Sequence, residues 1–273
     1  MTATLLHRVT VAVFVVTLSV WLGGCVSKGV AGATVGESKD LVTASDESDA
    51  SKRAHVRMEL ASGYFERGQM TTALDQVKLA IVADPTFAEA FNLRGLIYAN
   101  LGDERLAEES FRRALQLNSR DADTMQNLGY FLCQKKRYSE ANTLFDQALA
   151  MPQYRDAART HLTKGVCLGL AGQLPESEAS LLRAYELEPM NPSIAVNLSE
   201  VLYRRGDFER ARFFIRRVNA VPALANSQTL WLAARIEHGI GNAPGVQDFG
   251  EQLRRRFPDS REFAAFQRGG FDE

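Results

Sequence analysis

Three cysteines and four histidines have the greatest chemical reach in this chain of 273 residues. The cysteines are Cys25, Cys133 and Cys167, and the histidines are His7, His55, His161 and His238. No Cys-x-x-Cys pair occurs and no histidine has a partner at ligand spacing, so metal binding and thioredoxin-like redox work have no support. His161 lies nearly two helical turns before Cys167, which suits an ordinary helical histidine better than a catalytic Cys-His pair. Gly239 to Gly245 is rich in glycine, but no strand precedes it as a phosphate loop requires. No acid–base pair or nucleophile triad emerges. The expectation is a protein that is not an enzyme, with no cofactor, no metal and no small-molecule substrate. Thiol chemistry remains. Cys133 and Cys167 are 34 residues apart. They are either a disulfide formed in an oxidising compartment or two buried thiols filling small slots.

The elements that carry these residues repeat. Ala88 to Asp121 holds Phe91, Gly95, Tyr98, Gly102, Ala107, Phe111 and Ala114. This order of large, small and turn residues resembles the 34-residue tetratricopeptide (TPR) unit, two antiparallel helices joined by a tight turn. Small residues at Gly95 and Ala107 let the helices approach. Gly102 takes the turn, where positive φ costs it little, and Asp103 is placed to cap the second helix. One unit cannot bury its own apolar face, so neighbours are required. Shifting by 34 residues finds them. Ala54 to Phe87 carries Ala61, Tyr64, Gly68, Ala73 and Ala80 in register. A third unit from Ala122 has Gly129, Ala141, Phe145 and Ala148, with Lys136 at the turn in place of glycine. A fourth starts at Ala158, after an insertion around Pro152 to Arg155. A fifth starts at Pro192, and a worn sixth at Ser227 carries Ala234, Gly241 and Leu253. The fold expected is all-α: a right-handed TPR superhelix of six helix-turn-helix repeats over residues 54–260, with a C-terminal tail at 261–273.

The start of the chain differs. Val9 to Leu22 is an apolar run, shorter than the roughly 20 residues of a membrane-spanning helix and of signal-peptide length. It ends in Leu22-Gly23-Gly24-Cys25, which resembles the lipobox of bacterial lipoproteins. That resemblance implies a signal peptide at 1–24 and lipid on Cys25, the first residue of the mature chain. Val26 follows, where enteric inner-membrane lipoproteins carry Asp, and this favours lipid anchoring in the outer membrane, facing the periplasm. Residues 26–53 are dominated by Gly, Ala, Ser, Thr, Asp and Glu. Such a segment buries too little apolar surface to fold and reads as a disordered linker. The net charge of −1 argues against nucleic acid as a partner.

In TPR stacks the first helix of each unit lines a concave groove. The groove-facing positions here include Phe65, Leu96, Tyr130, Leu162, Val166 and Tyr203. They predict a discontinuous apolar strip that takes a helix or an extended peptide, with about half of such positions packing inside the superhelix. The lysine–asparagine–arginine clamp of chaperone-binding TPR proteins is missing. The basic runs at Lys135–Arg137, Arg212–Arg217 and Arg254–Arg256 read as solvated faces.

Asn127 to Gln134, the insertion with Pro152 and Tyr154, and the ending Leu253 to Ser260 are similar to the type IV pilus biogenesis lipoproteins PilF/PilW. The resemblance spans lipobox, linker and repeats. It implies a pilotin, which escorts the secretin subunit of the type IV pilus to the outer membrane and promotes its multimerisation. It further implies that Cys25 is the lipid site and Cys133–Cys167 a structural disulfide. A different periplasmic TPR lipoprotein, scaffolding cell-wall or outer-membrane-protein assembly, is the alternative.

Overall fold

The computed structural model describes residues 48–271, which form thirteen α-helices and no strand among the described residues. Cys25, the signal peptide and most of the expected linker lie outside the described residues. Twelve helices pair in order: α1 (Asp49–Glu66) with α2 (Met70–Ala83), α3 (Ala88–Leu101) with α4 (Glu104–Leu117), and α5 (Ala122–Gln134) with α6 (Tyr138–Leu149). The pairs α7 (Ala157–Leu170) and α8 (Leu174–Leu187), α9 (Pro192–Arg204) and α10 (Phe208–Asn219), and α11 (Ser227–Ile240) and α12 (Ala243–Arg256) follow. Each second helix also packs on the first helix of the next unit, so six two-helix units stack in a TPR superhelix.

The local reasons are legible in unit two. Gly102 ends α3 at φ 82°, in the left-handed region that a side chain disfavours. Asp103 then accepts a hydrogen bond from the Leu106 amide at 3.0 Å and caps α4. A Cβ placed on Gly95 would stand 2.6 Å from the Phe111 ring, so the helices can cross there only with hydrogen at that position. Ala107, Phe111 and Ala114 are fully buried beneath that crossing. In unit three Lys136 holds the turn at φ 60°. The insertion between α6 and α7 is held by Tyr154, whose hydroxyl lies 2.8 Å from Thr160 Oγ1.

Two stretches differ from expectation. Composition extends the linker to residue 53, but α1 begins at Asp49. Ser48 caps it by accepting from the Ser51 amide, and burial of Ala54 secures the helix. The worn sixth unit builds its two expected helices, opened by a capping box between Asn226 and Thr229. The expected tail contains a thirteenth helix, α13 (Arg261–Arg268), capped by Ser260 and packed on α11 and α12. Phe263 anchors it in the C-terminal core.

Candidate functional site

The first helices α3 and α5 bring Leu96 and Tyr130 to one cleft of about 250 Å³, with Asn100, Asn127 and Gln134 at its edges. Tyr130 is 51% exposed, a large amount for a ring on a packed helix. Leu96 is half-buried and rests on the cluster of Phe111, Phe131 and Leu132. Asn127 Nδ2 donates to Asn92 Oδ1 at 3.1 Å, which links equivalent faces of consecutive units. An apolar floor edged by amides suits a peptide: the floor takes side chains and the amides can meet its backbone. Gln126 sits deeper on α5, and its buried Oε1 has no hydrogen-bond partner.

The other predicted groove residues do not join that cleft. Phe65 is half-buried against the cluster of units one and two, beside Met58 and Tyr64. Leu162 packs on the large C-terminal core, and Val166 is half-buried on the same helix. Tyr203 is covered. Its ring centroid lies 5.7 Å from that of Phe208, and its hydroxyl donates to the Phe271 carbonyl at 3.1 Å. The six positions are discontinuous, with Leu96 and Tyr130 sharing one open cleft. A second cleft, of about 440 Å³, opens between α9 and α11 and is lined by Val196, Glu200, Gln228 and Leu232.

Cys133 on α5 and Cys167 on α7 form a disulfide, with Cα atoms 5.8 Å apart. Both residues are buried. The bond ties unit three to unit four beneath the groove, in a region where α5 and α7 already touch.

The basic runs are largely neutralised within the fold. Lys135 pairs with Glu104, while Arg137 reaches Glu108 at 2.7 Å and Glu140 at 2.6 Å. Arg216 lies 2.9 Å and Arg212 3.6 Å from Glu237, which also accepts from Asn242 Nδ2 at 2.7 Å. Glu237 is 1% exposed, so these partners offset the cost of burying its charge. Arg254 and Arg255 pair with Glu251. His161 stands apart from the disulfide in a surface cleft with Asp146 and Lys164. Burial, with Lys164 and Arg183 nearby, pushes its pKa below the usual histidine value. Among the described residues no group of three or more His, Cys, Asp or Glu could hold a metal ion, and no described helix is long and apolar enough to cross a membrane.

Tetratricopeptide repeat family models match residues 88–121, 122–151 and 162–222. The type IV pilus assembly protein PilF of Pseudomonas aeruginosa is 27% identical over 94% of this chain and 97% of its own length. The crystal structure of PilW, a type IV pilus biogenesis factor, superposes with a TM-score of 0.73 at 29% identity, covering 78% of this chain and 97% of that one. The structure of P. aeruginosa PilF has the same fold, with a TM-score of 0.72 at 24% identity, over 81% of this chain and all of that one. The chain is a PilF/PilW-like tetratricopeptide-repeat protein.

In this PilF/PilW-like stack the sequence reading missed one set of groove residues. Trp231, Arg235 and His238 occupy the groove-facing positions of the sixth unit, but wear in that repeat obscured them. Trp231 holds the repeat position of Leu162, Arg235 that of Leu96, Tyr130 and Val166, and His238 that of Phe65 and Tyr203, and that register was the available signal. Phe271 could not be placed by register, because it follows the last repeat.

Proposed function

We propose that this chain is a pilotin for the type IV pilus secretin: a lipoprotein held at the outer membrane by lipid on Cys25, with its repeat domain in the periplasm. Its concave face captures a secretin subunit, and the lipid carries the pair to the outer membrane, where the subunits multimerise. The repeats act by binding and not by catalysis. The observation that carries this reading is the cleft of Leu96 and Tyr130, an exposed aromatic over an apolar floor, in a chain similar to PilF and PilW over most of its length. Exposed apolar surface on a packed domain marks a partner site. A ring such as Tyr130 is the kind of anchor that dominates binding energy. The Cys133–Cys167 bridge supports the reading, because an exported domain can keep it oxidised.

Two variants separate anchor from cargo. Cys25→Ala should lose fatty-acid labelling and membrane association but still bind secretin. Tyr130→Ala should reach the outer membrane without bringing secretin there. Wild-type secretin multimers in cells carrying Tyr130→Ala would refute the groove as the cargo site. Normal labelling of Cys25→Ala would refute the anchor.

A further inference from the structure

The C-terminal end of the chain enters the groove that its partner is proposed to use. α13 stops at Gly269, whose φ of 69° reverses the chain, and the Gly270 amide donates to the Ala265 carbonyl at 3.0 Å. That reversal delivers Phe271 onto the groove-facing side of units five and six. Its ring lies flat on His238, with centroids 4.4 Å apart and planes 6° from parallel. Trp231 flanks it at 5.2 Å, and Phe266 meets it edge-on at 5.9 Å. Its carbonyl oxygen accepts from Tyr203 Oη at 3.1 Å and from Arg235 Nε at 3.2 Å. Arg235 in turn stacks on Tyr203 with its guanidinium carbon 4.4 Å from the ring centroid.

A terminal cap alone does not account for this. Capping the last repeat means covering its apolar end, and α13 does that through Phe263 and through Phe266, whose ring lies over Gly250. Phe271 lies beyond the helix, after two glycines. It fills an aromatic slot while two groove side chains bind its backbone oxygen. An aromatic slot beside donors for a peptide carbonyl is how a groove reads an extended peptide.

We propose that Tyr203, Trp231, Arg235 and His238 form a peptide subsite of the groove, specific for an aromatic side chain and its own carbonyl, and that Phe271 occupies it in cis. The partner of this subsite is a peptide segment bearing an aromatic residue, which must displace the chain's own end. This deepens the proposed groove function and rests on it. The tether matters quantitatively. A segment joined by a short flexible linker sits at an effective concentration on the order of millimolar, so a free peptide competes poorly until the tethered one is removed.

The test uses a dye-labelled synthetic peptide copying residues 268–273 and the full chain in detergent, with Trp21→Phe so that Trp231 is the sole tryptophan. Phe271→Ala should bind the peptide about tenfold or more tighter than the parent chain, as the tethered competitor is gone. Its Trp231 emission should shift red, then return when peptide is added. A chain ending at Arg268 should behave the same way, and adding His238→Ala should abolish binding. Helicity by circular dichroism verifies that each variant is folded. Equal affinity in the parent and Phe271→Ala, or no binding by a folded Phe271→Ala, would overturn the proposal and leave the end as a cap. Secretin takes no part in this assay. Failure here leaves the Tyr130 cleft untouched, and failure of the Tyr130 test leaves this result standing.

Discussion

Cys133 and Cys167 lie on the first helices of consecutive repeats, and the disulfide between them fixes α5 to α7 at a Cα separation of 5.8 Å. Its sequence span is 34 residues, so the loop it closes in the unfolded chain is long enough to restrict that state appreciably. In the chain-entropy description a loop of this length contributes about 3–4 kcal/mol. The Cys133→Ser/Cys167→Ser double variant should lose that much in urea unfolding. Intact mass after thiol blocking without reductant should show both thiols protected. Two blocked thiols would contradict the bridge.

Gly95 should not tolerate a side chain. Alanine gains about 1 kcal/mol of helix propensity over glycine. Its Cβ would meet the ring of Phe111, a fully buried side chain, at 2.6 Å. Overpacking costs roughly 1–3 kcal/mol, which outweighs the gain. Gly95→Ala is therefore expected to lower the melting temperature and Gly95→Val to lower it further. A rise in either would show that Phe111 can move aside.

The third turn carries a correctable strain. Lys136 sits at φ 60°, where a residue with a Cβ pays roughly 1–2 kcal/mol. Glycine removes that penalty but gives the unfolded chain more freedom. Lys136→Gly should raise stability by about 0.5–1 kcal/mol, measured as a shift in the denaturation midpoint at unchanged slope.

His161 makes stability depend on pH. Burial first, and then Lys164 and Arg183, hold its folded pKa below the ordinary value of 6.5. The unfolded chain therefore takes up a proton that the folded chain resists. Stability is retained above the unfolded value and lost as pH falls from there toward the folded value. Wild-type protein should lose more thermal stability than His161→Gln between neutral pH and the mildly acidic range. Parallel profiles for the two proteins would contradict this.

The repeats were legible because TPR packing has a period. Gly95, Ala107 and Phe111 recur at fixed offsets, and the contact between Gly95 and Phe111 explains why that pattern is tight. The ends were less legible. Ser48 opens α1 within a stretch whose composition reads as linker, because a cap is a single-residue signal that composition averages away. Phe263 and Phe266 stand one helical turn apart after the Ser260 cap, so α13 had a local signature. Phe271 had none. Its contacts to His238 and Tyr203 bridge distant parts of the chain, and no local pattern encodes where a chain end returns. The same limit applies to the groove. Register placed Leu96, Tyr130 and Tyr203 on one side of the stack, while only packing could show that Tyr203 is covered and Tyr130 is open.

Capture of secretin by the open cleft at Leu96 and Tyr130 is tested most directly by the dissociation constant of the purified full chain for purified secretin subunit, measured beside Tyr130→Ala. Loss of a central aromatic anchor costs roughly 2 kcal/mol or more, a weakening of about 30-fold. That weakening, with unchanged helicity and unchanged melting temperature, is the expected result. An unaltered dissociation constant for folded Tyr130→Ala would contradict the account.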